Sequence, residues 1–230
     1  MSYPINYPTP QNANVQIFTA QIPAGDNRKN QNWVKPQGAS FVWFTLIGGG
    51  GGGDASAGGG SSAVTNFMCP AFLIPDELSI LVGNGGAPFA SGGGTSIYYQ
   101  RKDGSGYVLL QANTGGVGGV AGSASTSNYF TAMGFFQSVA GQAGSGSAQG
   151  PSSTTFLSGG GWDGNSVTAN YGYKTGAGGD GFFQFQPIIV GCGASAVAGA
   201  RRDGGIGCGG AGAGSNPGAG GPGLAVIITW

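Results

Sequence analysis

The sequence predicts an all-β fold built as a sandwich or barrel and punctuated by glycine. Three observations carry this expectation. Short runs rich in β-branched and aromatic residues recur about every 8–15 residues, the spacing of a strand-and-turn architecture. The 230 residues include 52 glycines and 12 prolines, too many for long helices. No stretch shows the period of a good amphipathic helix. Aromatic residues make up 11 % of the chain and the formal charge is zero, whereas a disordered chain combines few aromatics with high net charge.

The elements follow in order. Residues 1–14 are rich in Pro and Asn and read as an extended arm. Val15–Ala20 alternates as a strand does. Residues 21–40 read as a polar connection. Phe41–Ile47 (FVWFTLI) is apolar on both faces and is expected at the centre of a sheet. Six glycines follow at once, Gly48–Gly53. Val64–Met68, Leu78–Val82, Thr95–Tyr99 and Tyr107–Gln111 are further short strands. Asn84-Gly85 and Asp103-Gly104 stand between them as turn signals. Residues 112–181 are dominated by Gly, Ala and Ser with aromatic islands, and read as a loop-rich extension. Phe182–Val190 returns to strand, with Pro187 favouring an edge or bulge. Residues 191–223 are the densest glycine tract, and Leu224–Thr229 is the last strand. Residues 15–230 are thus expected to form a single glycine-rich β domain.

A glycine tract costs backbone entropy, so it persists where something offsets that cost. Polyglycine-II-like helices do so. They have three residues per turn and no internal hydrogen bonds, and without side chains they approach closely enough to bond one another through the backbone. Gly48–Gly60, Gly115–Gly122 and Gly207–Gly223 are expected to supply such rods, laid side by side in a thin slab. A Gly-X-Y period does not persist, which excludes collagen.

Few residues could carry chemistry. The chain has no histidine, which removes the commonest general base and metal ligand. Asp103, Asp163, Asp180 and Asp203 each precede glycine and read as turn formers. Two G-x-G-x-x-G matches, Gly176–Gly181 and Gly207–Gly212, sit in no strand–turn–helix unit and say nothing of dinucleotides at this glycine frequency. Gly178-Gly179-Asp180 and Trp162-Asp163-Gly164 are single partial likenesses of a calcium repeat. No catalytic residue, cofactor or metal site is expected. Eight scattered Lys and Arg residues argue against nucleic acid. The longest apolar run falls short of a membrane span, and the first residues lack the pattern of a signal peptide. Charged residues are only 7 % of the chain, so much of the surface is expected to meet other protein. Cys192 and Cys208 lie in matching Gly-Cys-Gly settings with Cys69 left over. A Cys192–Cys208 disulfide and three free thiols are both open.

Several stretches resemble one known family. They are Gln16–Ala20, Trp33-Val34-Lys35-Pro36 with Gly38-Ala39, Phe41–Gly53, Gly58–Val64, Leu81–Gly86 and Gly92–Ser96. Together they resemble a glycine-rich domain of bacteriophage tail-fibre and other virion proteins, with a similar layout in the glycine-rich ectodomain of anaplastic-lymphoma-kinase-type receptors. The glycine-rich tail adhesins of T-even-like phages are a looser likeness. The resemblance is clearest over residues 15–100, and residues 123–175 depart from it in their Ser, Thr and Tyr content. It implies a jelly-roll-like β-sandwich, similar to the tumour-necrosis-factor fold, with glycine helices inserted.

The expectation is therefore a surface protein of a bacteriophage particle, made in the host cytoplasm and released by lysis. It would be a fibre or spike component, a homotrimer first, with its N-terminal arm docked on other virion proteins. Trp162, Asp163, Tyr171, Tyr173 and Lys174 are the candidates for contact with a host surface glycan or protein, because aromatic loops bind adaptably at low entropy cost. The alternatives are a capsid decoration protein with no receptor and, more remotely, an ice-binding protein made of glycine helices. A depolymerase would have few acid–base residues to work with.

Overall fold

The computed structural model describes residues 13–21, 30–100, 106–128, 130–144, 203–212 and 216–230. These form nine strands in two antiparallel sheets, the all-β fold expected. The strands are β1 (Asn14–Thr19), β2 (Gln31–Val34), β3 (Phe41–Ile47), β4 (Val64–Pro70), β5 (Glu77–Leu81), β6 (Thr95–Gln100), β7 (Gly106–Ala112), β8 (Phe135–Val139) and β9 (Leu224–Thr229). One sheet has the order β1-β9-β3-β4-β8 and the other β2-β5-β6-β7. This two-sheet antiparallel arrangement agrees with the jelly-roll-like sandwich the resemblance implies.

The core lies between the sheets. Alternate residues of each strand point inward, and Phe44, Phe67 and Ile227 of one sheet meet Trp33, Ile80 and Ile97 of the other. Trp33 sits edge-on to Phe44 at 6.2 Å, and Phe44 stacks on Phe67 at 6.3 Å. Strand β3 is central, paired with β9 and β4, and all its residues but Phe41 are buried. That is why its sequence is apolar on both faces. Its outward Trp43 and Thr45 are joined by a buried polar line: Trp43 Nε1–H donates to Thr45 Oγ1 at 2.9 Å, and Thr45 Oγ1–H donates to Asn66 Oδ1 at 2.7 Å.

Two strands differ from expectation. Strand β2 lies inside the stretch read as a polar connection. It is short and terminal in its sheet, and among its four residues only Trp33 is buried; one anchor leaves no alternation to read. Strand β8 lies inside the stretch read as loops. It is also terminal, and none of its residues is fully buried. The expected strand at Phe182–Val190 lies outside the described residues.

The glycine tracts continue the strands beyond one end of the sandwich. The three expected glycine tracts do pack together: Gly48–Gly60 and Gly207–Gly223 each contribute two of the packed segments and Gly115–Gly122 one, and two more come from residues 83–87 and 90–94. The arrangement is a bundle rather than a thin slab. Gly48–Gly53 is its axis. Gly48 and Gly51 donate to Ala63 and Gly60, Gly49 and Gly52 to Gly93 and Ala90, and Gly50 and Gly53 to Gly221 and Gly218. The period of three is that of a polyglycine-II helix. Carbonyls of the axis accept from three other segments: Gly49 from Gly115, Gly50 and Gly53 from Gly86 and Phe89, and Gly51 from Gly210, all at 2.8–2.9 Å.

The six surrounding segments also bond one another in a closed ring. Gly59 donates to Gly210, Gly218 to Ala211, Gly220 to Gly86, Gly93 to Asn84, Gly92 to Gly115 and Gly60 to Gly116. Side chains are excluded by contact. A methyl at Gly50 would run into the Cys208 carbonyl, and one at Gly51 into that of Gly116.

Candidate functional site

Among the described residues, three turns close rods at the end remote from the sandwich, and these turns present the side chains that the rods cannot carry. The first spans residues 54–57. Asp54 N–H donates to the Ala57 carbonyl at 2.9 Å. In return Asp54 Oδ1 accepts from Ser56 N–H, Ser56 Oγ–H and Ala57 N–H at 2.7–2.8 Å. Partial burial pushes the Asp54 carboxyl up, but these hydrogen bonds from Ser56 and Ala57 outweigh it and hold the group below the usual carboxylate range.

The second turn is Ala87-Pro88-Phe89-Ala90, closed by Ala90 N–H on the Ala87 carbonyl at 2.9 Å. Proline in the second position is favourable. The third position has φ of 64°, as in a type II turn, where glycine or asparagine is usual. Here a phenylalanine occupies it, the one described non-glycine residue with positive φ. The Phe89 N–H is held by the Gly53 carbonyl at 2.9 Å, at the end of the axial rod, while its ring is 57 % exposed. A strained backbone is thus fixed under an exposed aromatic ring.

The third turn is Val117–Gly119, with φ of 64° at Gly118 and 91° at Gly119. It lies against the first: a methyl at Gly118 would come to 2.5 Å from Asp54 Oδ2. Val117 N–H donates to Ser91 Oγ at 3.3 Å, tying it to the second. Val120, just beyond, is 63 % exposed. The rod that begins at Asn216 is bonded to the end of the axis, where Gly53 N–H donates to the Gly218 carbonyl at 2.9 Å. Among the described residues the tip thus presents Phe89 and Val120 as exposed apolar side chains, beside the Asp54 carboxylate bonded within its own turn.

A model of the glycine-rich domain family matches residues 26–230. The chain belongs to that family. No curated protein matches it. In this glycine-rich domain the expected contact residues Trp162, Asp163, Tyr171, Tyr173 and Lys174 lie outside the described residues, as do Cys192 and both calcium-like stretches. Cys208 is described and buried in the bundle. The G-x-G-x-x-G match at Gly207–Gly212 is one rod of the ring. Asp203, read as a turn former, accepts from Ala219 N–H at 2.7 Å and so links two glycine segments.

Among the described residues of the domain, no three His, Cys, Asp or Glu side chains group as metal ligands, and no helix is long and apolar enough to cross a membrane. Phe89 and Val120 escaped sequence reasoning. The signal was present, since Ala87–Ala90 is a non-glycine island between two glycine runs that each adjoin a strand.

Proposed function

We propose that this protein is a surface component of a bacteriophage particle, a fibre or spike tip that attaches to a host surface molecule through the turns at the end of its glycine bundle. The observation that carries this reading is Phe89. An exposed aromatic ring is held in a backbone conformation that costs free energy, at the end of a rod braced by six others. Strain of this kind persists where the surrounding structure over-determines it, and such positions cluster at functional sites. A rigid mount also limits the ordering cost of binding. The resemblance to virion glycine-rich domains supports the particle, and the small share of charged residues supports a homotrimer. The role proposed is non-catalytic.

The test is binding of purified protein to host-range cells, with copy number per particle measured on the same preparation. Saturable binding with few copies per particle, lost in Phe89→Gly, is the expected result. Binding that survives Phe89→Gly would remove the tip from the mechanism. A second reading, capsid decoration, is favoured by half-exposed Val15 and Ile17 on the outer face of β1, which suit packing against a neighbouring protein. Hundreds of copies with no cell binding would establish it.

A further inference from the structure

The sandwich carries a second recess, beside β7 rather than at the tip. A cleft of about 450 Å³ lies between β7 and residues 123–126, Asn128 and Thr131, with Phe136 of β8 in its wall. That volume is within the range of small-molecule sites. None of the described side chains lining it is ionisable.

Three of its polar side chains, Asn113, Ser125 and Asn128, are fixed in place, and each keeps unused hydrogen-bonding capacity. Asn113 Nδ2–H donates to the Ser123 carbonyl at 2.9 Å and to Ser123 Oγ at 3.2 Å, which leaves its Oδ1 to accept. Asn128 Nδ2–H donates to the Leu109 carbonyl at 3.1 Å and its Oδ1 accepts from Thr131 N–H at 2.9 Å, which leaves one amide hydrogen to donate. Ser125 Oγ–H donates to the Gln111 carbonyl at 2.6 Å, and its lone pairs can still accept. These bonds also cap carbonyls along β7, the terminal strand of its sheet among the described residues. The Gln111 amide and the Thr126 hydroxyl bond to no described residue, and both line the cleft.

We propose that this cleft binds a neutral saccharide. A sugar presents hydroxyls that both donate and accept, which matches a wall of amides and hydroxyls with both capacities left open. Its C–H face matches the apolar surface of Phe136, which is partly exposed in the wall. An ionised ligand would lose water there with no counter-charge to meet it. Because Asn113, Ser125 and Asn128 are already pinned, they lose little side-chain freedom on binding. The inference does not depend on the tip or on the virion reading.

The experiment is calorimetric titration of the full chain with neutral mono- and disaccharides of glucose, galactose, mannose and N-acetylglucosamine, beside sialylated and sulfated sugars. At least one neutral sugar is expected to bind with a Kd below about 10 mM. Gln111→Ala and Thr126→Val touch no internal bond and are expected to leave the melting temperature unchanged. Each should weaken the neutral sugar about tenfold, the equivalent of one good hydrogen bond. Phe89→Gly should leave sugar binding unchanged, so failure here and failure of the tip reading are separate results. Binding of charged sugars only, binding of none, or binding that survives both cleft variants would overturn the proposal.

Discussion

At the scale of single residues, Phe89 lets stability and function be told apart. A non-glycine residue in the left-handed region costs about 1–2 kcal/mol. Glycine there removes that cost but adds about 0.5–1 kcal/mol of unfolded-state entropy. Phe89→Gly is therefore expected to stabilise the protein by at most about 1 kcal/mol, seen as a raised melting temperature, while cell binding is lost. A fall in melting temperature would mean that the exposed ring contributes to packing.

Cys69 gives a second residue-scale prediction. Its thiol is buried on β4, and burial pushes it from 9.0 up to about 11, against the pull of Lys35. The unfolded thiol ionises first as pH rises, so between pH 9 and 11 the folded state holds more protons than the unfolded one. Stability from this group is full below pH 9 and is lost as pH rises through 11. Urea titrations at stepped pH should show the wild type losing stability relative to Cys69→Val over that window. Parallel curves would place the thiol in contact with water.

At the scale of elements, much of the fold could be read from the chain. Phe41–Ile47 is central because it is apolar on both faces, and the structure buries all of it but Phe41. The last strand, Leu224–Thr229, has the bounds its composition marked, and all six of its residues are buried. The terminal strands β2 and β8 were hidden because Trp33 is the one fully buried side chain they contain between them, which leaves no alternation to read. Asn84-Gly85 reads as a turn signal, and neither Gly83–Gly86 nor Gly92–Gly94 reads as a rod, because each run is barely one polyglycine-II turn long. Only the neighbouring rods make them helices. The tip was hidden further, because nothing local shows that Phe89 takes a conformation suited to glycine.

The same element scale fixes what the axial rod tolerates. Gly51→Ala would drive a methyl into the backbone carbonyl of Gly116, which is itself held by the Gly60 N–H. No side chain can move aside, so the rods must separate and several backbone bonds must lengthen. At about 1 kcal/mol net for each weakened bond, added to the usual overpacking cost of about 1–3 kcal/mol, a loss of about 3 kcal/mol or more is expected. Gly106→Ala on β7 is the control, because the nearest atom to its new methyl is Tyr98 Cδ1 at 3.8 Å. It should be neutral. Equal melting temperatures for the two variants would show that the bundle opens without cost.

At the scale of the whole molecule, two kinds of stability are joined end to end. The sandwich is held by apolar burial, and its described ion pair, Lys35 with Asp76 at 2.8 Å, has one strongly exposed partner and adds little. The bundle has almost no side chains to bury and is held by backbone hydrogen bonds screened from water by neighbouring backbone. The two parts are continuous, since Gly48 follows Ile47 of β3 and Gly223 precedes Leu224 of β9. Opening the axial rod means parting it from all six surrounding segments, five of which run directly into strands β4, β5, β6, β7 and β9 of the sandwich. The bundle should therefore unfold with the sandwich and not before it. Hydrogen exchange tests this directly. The Gly50, Gly51 and Gly52 amides, each bonded at 2.9 Å, should exchange with the same free energy as Phe44 and Thr45 in β3, in contrast to the near-zero protection of ordinary glycine loops. If they exchanged far faster, the bundle would be a local structure resting on the sandwich, and it could not hold the tip still enough for a strained ring to serve as a binding contact.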